Sequence, residues 1–418
     1  MSPEAELVLA VAQKMVYSVR SIDTPAAKDG ISKRINNQKY RALSLIKERD
    51  INWSRFKDSL AYHGLIPFAY VSLKEHLSLL PKGLVEVLTS TYHYCLMFSS
   101  RLEEKFLSLA SIFEANGITL IPIKGVGLLE DLYPDYPIRP STDIDVLVQE
   151  QDIDRAVGLL EEAGFEKHLE GLKEEYWRKK QYHLVFVRFG RKSYQGEAAN
   201  EKSNGHSIIV ELHWDLDYRR KRRQLLSQMF KRLREFSMRG RRIKLLSVED
   251  TFFALALHQR RFGKTLALRD ACDIARLLNK YASSFDWDYV LNEAKKSKVC
   301  STIFFSLYQV QYLLGINVPT YVWRELNLST WKQRAIRRFI EKNTFLADKN
   351  IQAKNLYLRA HFLLYDSFWE PVDYILNIPQ EQFARFYGLA PYAKKTGFFY
   401  RYRLFYIIFR TMRRLFNL

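Results

Sequence analysis

Two stretches of this sequence alternate acid and hydrocarbon one residue at a time. In 139–148, RPSTDIDVLV, Asp143 and Asp145 flank Ile144 and lead into Val146 and Val148. In 208–218, IIVELHWDLDY, Glu211, His213, Asp215 and Asp217 alternate with Val210, Leu212, Trp214 and Leu216. A period of two belongs to a β-strand, whose successive side chains point to opposite faces. Each stretch therefore predicts a strand with one core face and one acidic face. If both strands lie in one sheet, Glu211 comes beside the aspartate pair. Carboxylates crowded into a partly desolvated place repel, and a cation removes the conflict. Hard cations such as Mg²⁺ take oxygen ligands and are usually held by one or two carboxylates plus substrate phosphates. Two such ions roughly 4 Å apart can clamp the attacking and leaving oxygens of a phosphoryl displacement, which gives the i, i+2 spacing a chemical reason.

The rest of the chain frames these strands. Up to about Gly117 the apolar residues recur every three or four positions, as in WSRFKDSLAYHGLIPFAYVSLKEHL, so helices are expected, the last of them stopping at Asn116-Gly117. A strand follows in ITLIPIKG (118–125), then a short helix, then the acidic strand, then a helix closed by Gly164. YHLVFVR (182–188) and the second acidic stretch read as hairpin-like strands separated by the polar loop 192–206. From Ser247 onward the pattern is helical again, opening with the capping pair Ser247 and Asp250. The boundaries expected are a helical region over 1–117, an α/β core over 118–246, a helical domain over 247–390 and a basic aromatic terminal helix over 391–418.

Ahead of the acidic pair, Lys124-Gly125 ends a strand, and a glycine turn lets backbone N–H groups approach phosphate oxygens while the lysine adds charge. Arg139 and Ser141 precede the aspartates and are candidates for the same anion. A plain turn glycine and a solvated lysine fit the same letters. His183 and His213 are candidate acceptor-side residues; with Glu211 they would also make a His₂Glu zinc set, although an oxygen-rich site favours magnesium. Asp270 and Asp273, with Arg269 and His258, are candidates for capping the cleft or binding nucleotide, against the plainer reading of surface charges on a helix with Arg269 and Asp273 paired at i, i+4.

Charge is unevenly spread. The formal net charge is +19, and residues 219–244 hold twelve basic side chains and one acid while 394–418 hold seven and none. A polyanion or an anionic membrane surface is one reading; a solvated basic face is the other. In the tail, Arg403, Arg410 and Arg414 mark one side of a helix and Phe398, Tyr402, Phe405, Phe409 and Met412 another, as in an interfacial helix or one docked on the protein. Cys95, Cys272 and Cys300 show no metal-type spacing, the start carries Glu4 and Glu6 where an export signal needs basic residues, and no apolar run is long enough to span a membrane. A cytoplasmic protein is expected, peripheral at the inner face of the membrane if the basic segments bind it.

The order KG, LLEDLYPD, RPSTDIDVLV, EEAGF, YHLVF, VELHWDL, SVEDTFFALALH, LRDACDIARLL and FDWDYVL, from about Ser99 to Pro319, resembles the uncharacterised bacterial nucleotidyltransferase family within the DNA polymerase β-like nucleotidyltransferase superfamily. The resemblance implies an α+β fold, with a nucleotidyltransferase-type mixed sheet between mainly helical N- and C-terminal regions. It implies that Asp143 and Asp145 bind Mg²⁺ (two ions, with Mn²⁺ as a substitute) on a nucleoside triphosphate, that Glu211 is the third carboxylate, and that Lys124 and Gly125 occupy the phosphate loop. The superfamily's usual Gly-Ser or Gly-Gly is here Gly125-Val126, which leaves no serine beside the glycine. The implied activity moves an NMP from an NTP to a hydroxyl of a small molecule, sugar, protein or RNA. The alternative is a catalytically weak or inactive binding protein on the same scaffold, holding nucleic acid or an anionic membrane through its basic segments.

Overall fold

The computed structural model of the protein describes residues 1–17, 41–134, 138–189, 207–217, 223–260, 266–345 and 359–406. The loop 192–206, the basic residues 219–222 and the tail from 407, with Phe409, Arg410, Met412 and Arg414, lie outside the described residues. The fold is α+β, as expected. Five strands form one mixed sheet in the order β1 (Ile121–Pro122), β2 (Ile144–Leu147), β5 (Ile208–His213), β4 (His183–Arg188), β3 (Glu166–Lys167). β2 and β5 run parallel, which requires a crossover, and the helices Ile153–Glu162 and Glu174–Lys180 with β3 and β4 lie between them in sequence. The other pairings are antiparallel.

β1 is shorter than the stretch 118–125 expected, and Pro122 explains why. Proline has no N–H for a ladder and is tolerated at a sheet edge, which is where β1 lies. β5 also stops early. Beyond His213 the backbone turns, and Asp215 Oδ1 accepts the N–H groups of Leu216 at 2.7 Å and Asp217 at 3.2 Å. The alternation expected through Asp217 thus ends at His213, because a short aspartate side chain competes with the ladder for backbone donors.

One face of the sheet packs Ile144, Val146, Leu184, Phe186, Val210 and Leu212 against Leu102, Phe106 and Phe113 of the long helix Lys82–Ala115 and against Leu160 of Ile153–Glu162. Burying each of these large side chains stabilises the fold by about 1.5–3 kcal/mol. A second cluster joins the N-terminal helix Pro3–Tyr17 to helices Leu268–Lys280 and Cys300–Leu314, so residues from both ends of the sequence share one core. Gln13 Nε2 and Tyr17 Oη reach across this core to the carbonyls of Leu313 and Leu314, each at 2.7 Å.

The basic segment folds in a way its composition hides. After the helix Arg223–Lys231, a hairpin forms from β6 (Arg234–Met238) and β7 (Arg241–Leu245). Its two-residue turn, Arg239-Gly240, has φ of 47° and 78°, the positive values that a type I′ turn needs at both positions. Glu130 anchors the strained arginine by accepting its N–H at 3.0 Å, and Glu103 takes its guanidinium at 2.7 Å. Arg232, Arg234, Arg241 and Lys244 likewise bind Glu249, Asp131, Glu114 and Glu235. Part of the local charge excess is therefore neutralised by the protein's own acids. In the C-terminal segment, helix Lys394–Arg401 and Tyr406 pack Phe399, Tyr400 and Tyr406 around Phe383 and Tyr387, whereas Phe398, Tyr402 and Phe405 face outward. Among the described residues no helix is long and apolar enough to cross a membrane.

Candidate active site

The parallel register of β2 and β5 sets Asp145 opposite Glu211 and Leu147 opposite His213, while antiparallel β4 sets His183 opposite His213. Side-chain alternation then puts Asp145, Glu211 and His213 on one face, and one ligand atom from each lies within 4.8 Å of the others. His213 Nε2 is 3.2 Å from Asp145 Oδ1 and 3.3 Å from Glu211 Oε2. The imidazole is held flat by His183, whose ring stacks on it with centroids 5.1 Å apart at 23°. Asp145 is fully buried, and its Oδ1 also meets Lys124 Nζ at 2.7 Å. Its other oxygen, Oδ2, is buried with no hydrogen-bond partner. Leaving an acceptor of a charged group in that state costs more than the roughly 1–3 kcal/mol of a neutral one. Two carboxylates and an imidazole around an unsatisfied oxygen are a donor set that fits a divalent cation.

Asp143 stands just ahead of β2, half-buried, and the 4.8 Å group forms without it. Ser141 Oγ caps this strand entry, donating to the Asp143 carbonyl at 3.0 Å and lying 3.5 Å from its carboxylate. Gly125 explains how Lys124 arrives. Its φ is +57°, and a Cβ there would stand 2.8 Å from Ser141 Oγ and 3.5 Å from the Asp143 carbonyl. The turn between β1 and helix Val126–Leu132 can thus lie directly on the 141–143 segment, with Ile123 N–H bonded to the Asp145 carbonyl at 3.1 Å. The hydroxyl missing at position 126 is present beside Gly125 after all, supplied by Ser141.

Arg139 is not at the anion-facing position expected of it. It is buried, and its guanidinium binds Asp273 through Nε at 2.9 Å and 2.8 Å and through Nη2 at 2.8 Å, with Tyr133 Oη on the same carboxylate at 2.7 Å. Asp273 is correspondingly not a surface charge paired with Arg269. Arg269 binds Asp270 instead, at 3.0 Å. The reason is the helix Leu268–Lys280, whose Asp273 side is turned into the core toward Leu132, Tyr133 and Arg139. Asp217 also leaves the acidic face, pairing with buried Arg260 at 2.9 Å.

A small cavity of about 20 Å³ adjoins the site, lined by Lys124, Tyr182, His213 and His258 among others. Tyr182 escaped the sequence reading, although its place next to His183 at the start of β4 marks it; its ring lies 5.7 Å from that of His213. The Lys124–Asp145 contact was also not foreseen, because a lysine before a glycine turn points equally well to phosphate.

A family model described as uncharacterised nucleotidyltransferase matches residues 49–315, which contain the whole sheet and every candidate site residue. It extends farther toward the N-terminus than Ser99. No curated protein and no solved structure matches the chain.

Proposed function

Since the chain belongs to the uncharacterised nucleotidyltransferase family, we propose that it transfers an NMP from an NTP to a hydroxyl acceptor. The acceptor oxygen forms a bond to the α-phosphorus, the α–β anhydride bond breaks, and pyrophosphate leaves. Asp145, Glu211 and His213, with Asp143 at the solvent side, would hold a divalent cation, Mg²⁺ or Mn²⁺ by the carboxylate oxygens. When bound, that cation supplies charge stabilisation to the phosphates. The observation that carries this reading is the buried, unpartnered Asp145 Oδ2 directly across the ladder from Glu211.

The other residues follow from their places. Glu211 is more exposed than Asp145 and receives the acceptor's proton. Gly125 and Ser141 form the wall nearest the phosphates, and Lys124 adds positive charge. Arg139 acts at one remove: through Asp273 it fixes the segment that leads into β2. The internal ion pairs of Arg232, Arg234, Arg239, Arg241 and Lys244 weaken the reading of that segment as a polyanion grip. The test is incubation with each labelled NTP and Mg²⁺, comparing wild type with Asp145→Asn. Metal-dependent labelling of a molecule or of the protein itself, lost in the variant, is expected; equal labelling in both would sink the proposal.

A further inference from the structure

Lys124 is placed where a cation belongs. Its ammonium lies 2.7 Å from Asp145 Oδ1, the oxygen that also faces His213 Nε2 at 3.2 Å, while His213 Nε2 is 3.3 Å from Glu211. A divalent ion held by Asp145, Glu211 and His213 would be in direct contact with these donors. A lysine ammonium on the same carboxylate would then be within a few ångströms of a dication, with little water between them, since Asp145 is fully buried and the Lys124 side chain is 12% exposed. Two cations so close in a partly buried place repel strongly. The lysine is the one that can leave, because its charge rides on a flexible four-carbon stem. The protein also shows what a fixed lysine looks like: Lys280 binds both the Asp131 carboxylate at 2.6 Å and its carbonyl at 2.7 Å, with Tyr281 and Arg234 on the same acid.

We propose that the Lys124 ammonium and a divalent cation are alternative partners of Asp145: the ion, taking Asp145, Glu211 and His213, displaces the lysine, whose freed charge then meets the triphosphate. The exchange rests on the metal-site reading above. It makes metal and nucleotide mutually reinforcing, because the ion that joins the carboxylates also releases a counter-charge for the phosphates. The imidazole donor also makes Mn²⁺ a good probe, since a ligating nitrogen leaves a hyperfine signature in its electron spin resonance.

The test uses the full chain, stripped with a chelator, titrated with Mn²⁺ while free Mn²⁺ is followed by spin resonance, and checked for folding by circular dichroism. In Lys124→Met the Mn²⁺ affinity is expected to rise about tenfold, the scale of one charged hydrogen bond. A non-hydrolysable NTP should then bind the metal-loaded variant about tenfold more weakly than it binds wild type. Lys124→Gln, which keeps a polar head beside Asp145, should move both affinities in the same directions and serves if the methionine variant folds poorly. The nitrogen signature should be present in wild type and absent in His213→Gln. Unchanged or weaker Mn²⁺ binding without the lysine charge overturns the exchange while leaving the metal site standing. A wild-type protein that takes up no Mn²⁺ overturns both.

Discussion

Asp131 and Asp145 are buried almost equally, at 1% and 0% exposure, yet they are treated differently by the fold. Asp131 is saturated: Arg234, Lys280 and Tyr281 all meet its carboxylate, tying helix Val126–Leu132 to β6 and to helix Leu268–Lys280. Burial alone would push its carboxyl up, but Arg234 and Lys280 hold it below the usual range. Asp145 has both of its partners on one oxygen and none on the other. The difference separates scaffold from site. A buried acid satisfied by fixed partners stabilises the fold it is part of, whereas one left partly unsatisfied is a cost the fold bears for something that binds there.

The strongest challenge to this contrast is to neutralise each acid in turn. Asp145→Asn should cut nucleotidyl transfer by about a thousandfold or more while its melting temperature stays level or rises, read by labelled-NTP transfer and calorimetry. Asp131→Asn should instead lose about 3–5 kcal/mol of stability in urea titrations, because Arg234 and Lys280 are left around a neutral amide. If Asp145→Asn proves as destabilising as Asp131→Asn, the two acids are alike and the contrast falls.

A smaller effect tests whether burial without a fixed ionic partner carries a cost elsewhere. His63 is buried at the end of helix Trp53–His63 and accepts the Leu268 N–H at 3.4 Å; burial pushes its pKa down to about 4, with the Leu266 backbone contact opposing. Between pH 6.5 and 4 the unfolded chain therefore takes up a proton that the folded protein refuses, so stability falls as pH drops through that window. His63→Gln should flatten that part of the stability curve, by roughly 3 kcal/mol at most. The smallest effect should come from Lys244→Ala, which breaks an exposed pair with Glu235. No change in melting temperature is expected, since exposed pairs contribute little.

Where local pattern decides the structure, the sequence was readable. The period of two placed Asp145, Glu211 and His213 on one face, the Asn116-Gly117 stop ends the long helix, and Ser247 Oγ does accept the Asp250 N–H, at 3.1 Å. Where the decision is made by residues far apart in sequence, the reading failed. Arg139 looks like an anion contact until Asp273, 134 residues later, claims its guanidinium. The β6–β7 hairpin hides because its turn begins with arginine, and that arginine's positive φ is sustained by Glu130 and Glu103 from earlier helices. Composition counted the charges of 232–244 correctly, but no single-chain pattern shows which acids will meet them.

The bond from Gln13 to the carbonyl of Leu313 spans 300 residues of sequence. At synthesis rates of about 5–20 residues per second, helix Pro3–Tyr17 leaves the ribosome roughly 15–60 s before its partners in Cys300–Leu314 have been made. For that interval Leu7, Val8, Val11 and Met15, all buried in the finished core, can pack only on earlier-made partners such as the helices Trp53–His63 and Ile66–Leu73. The burial of this first helix is therefore begun by its near neighbours in sequence and completed only when the most distant of its partners has been made.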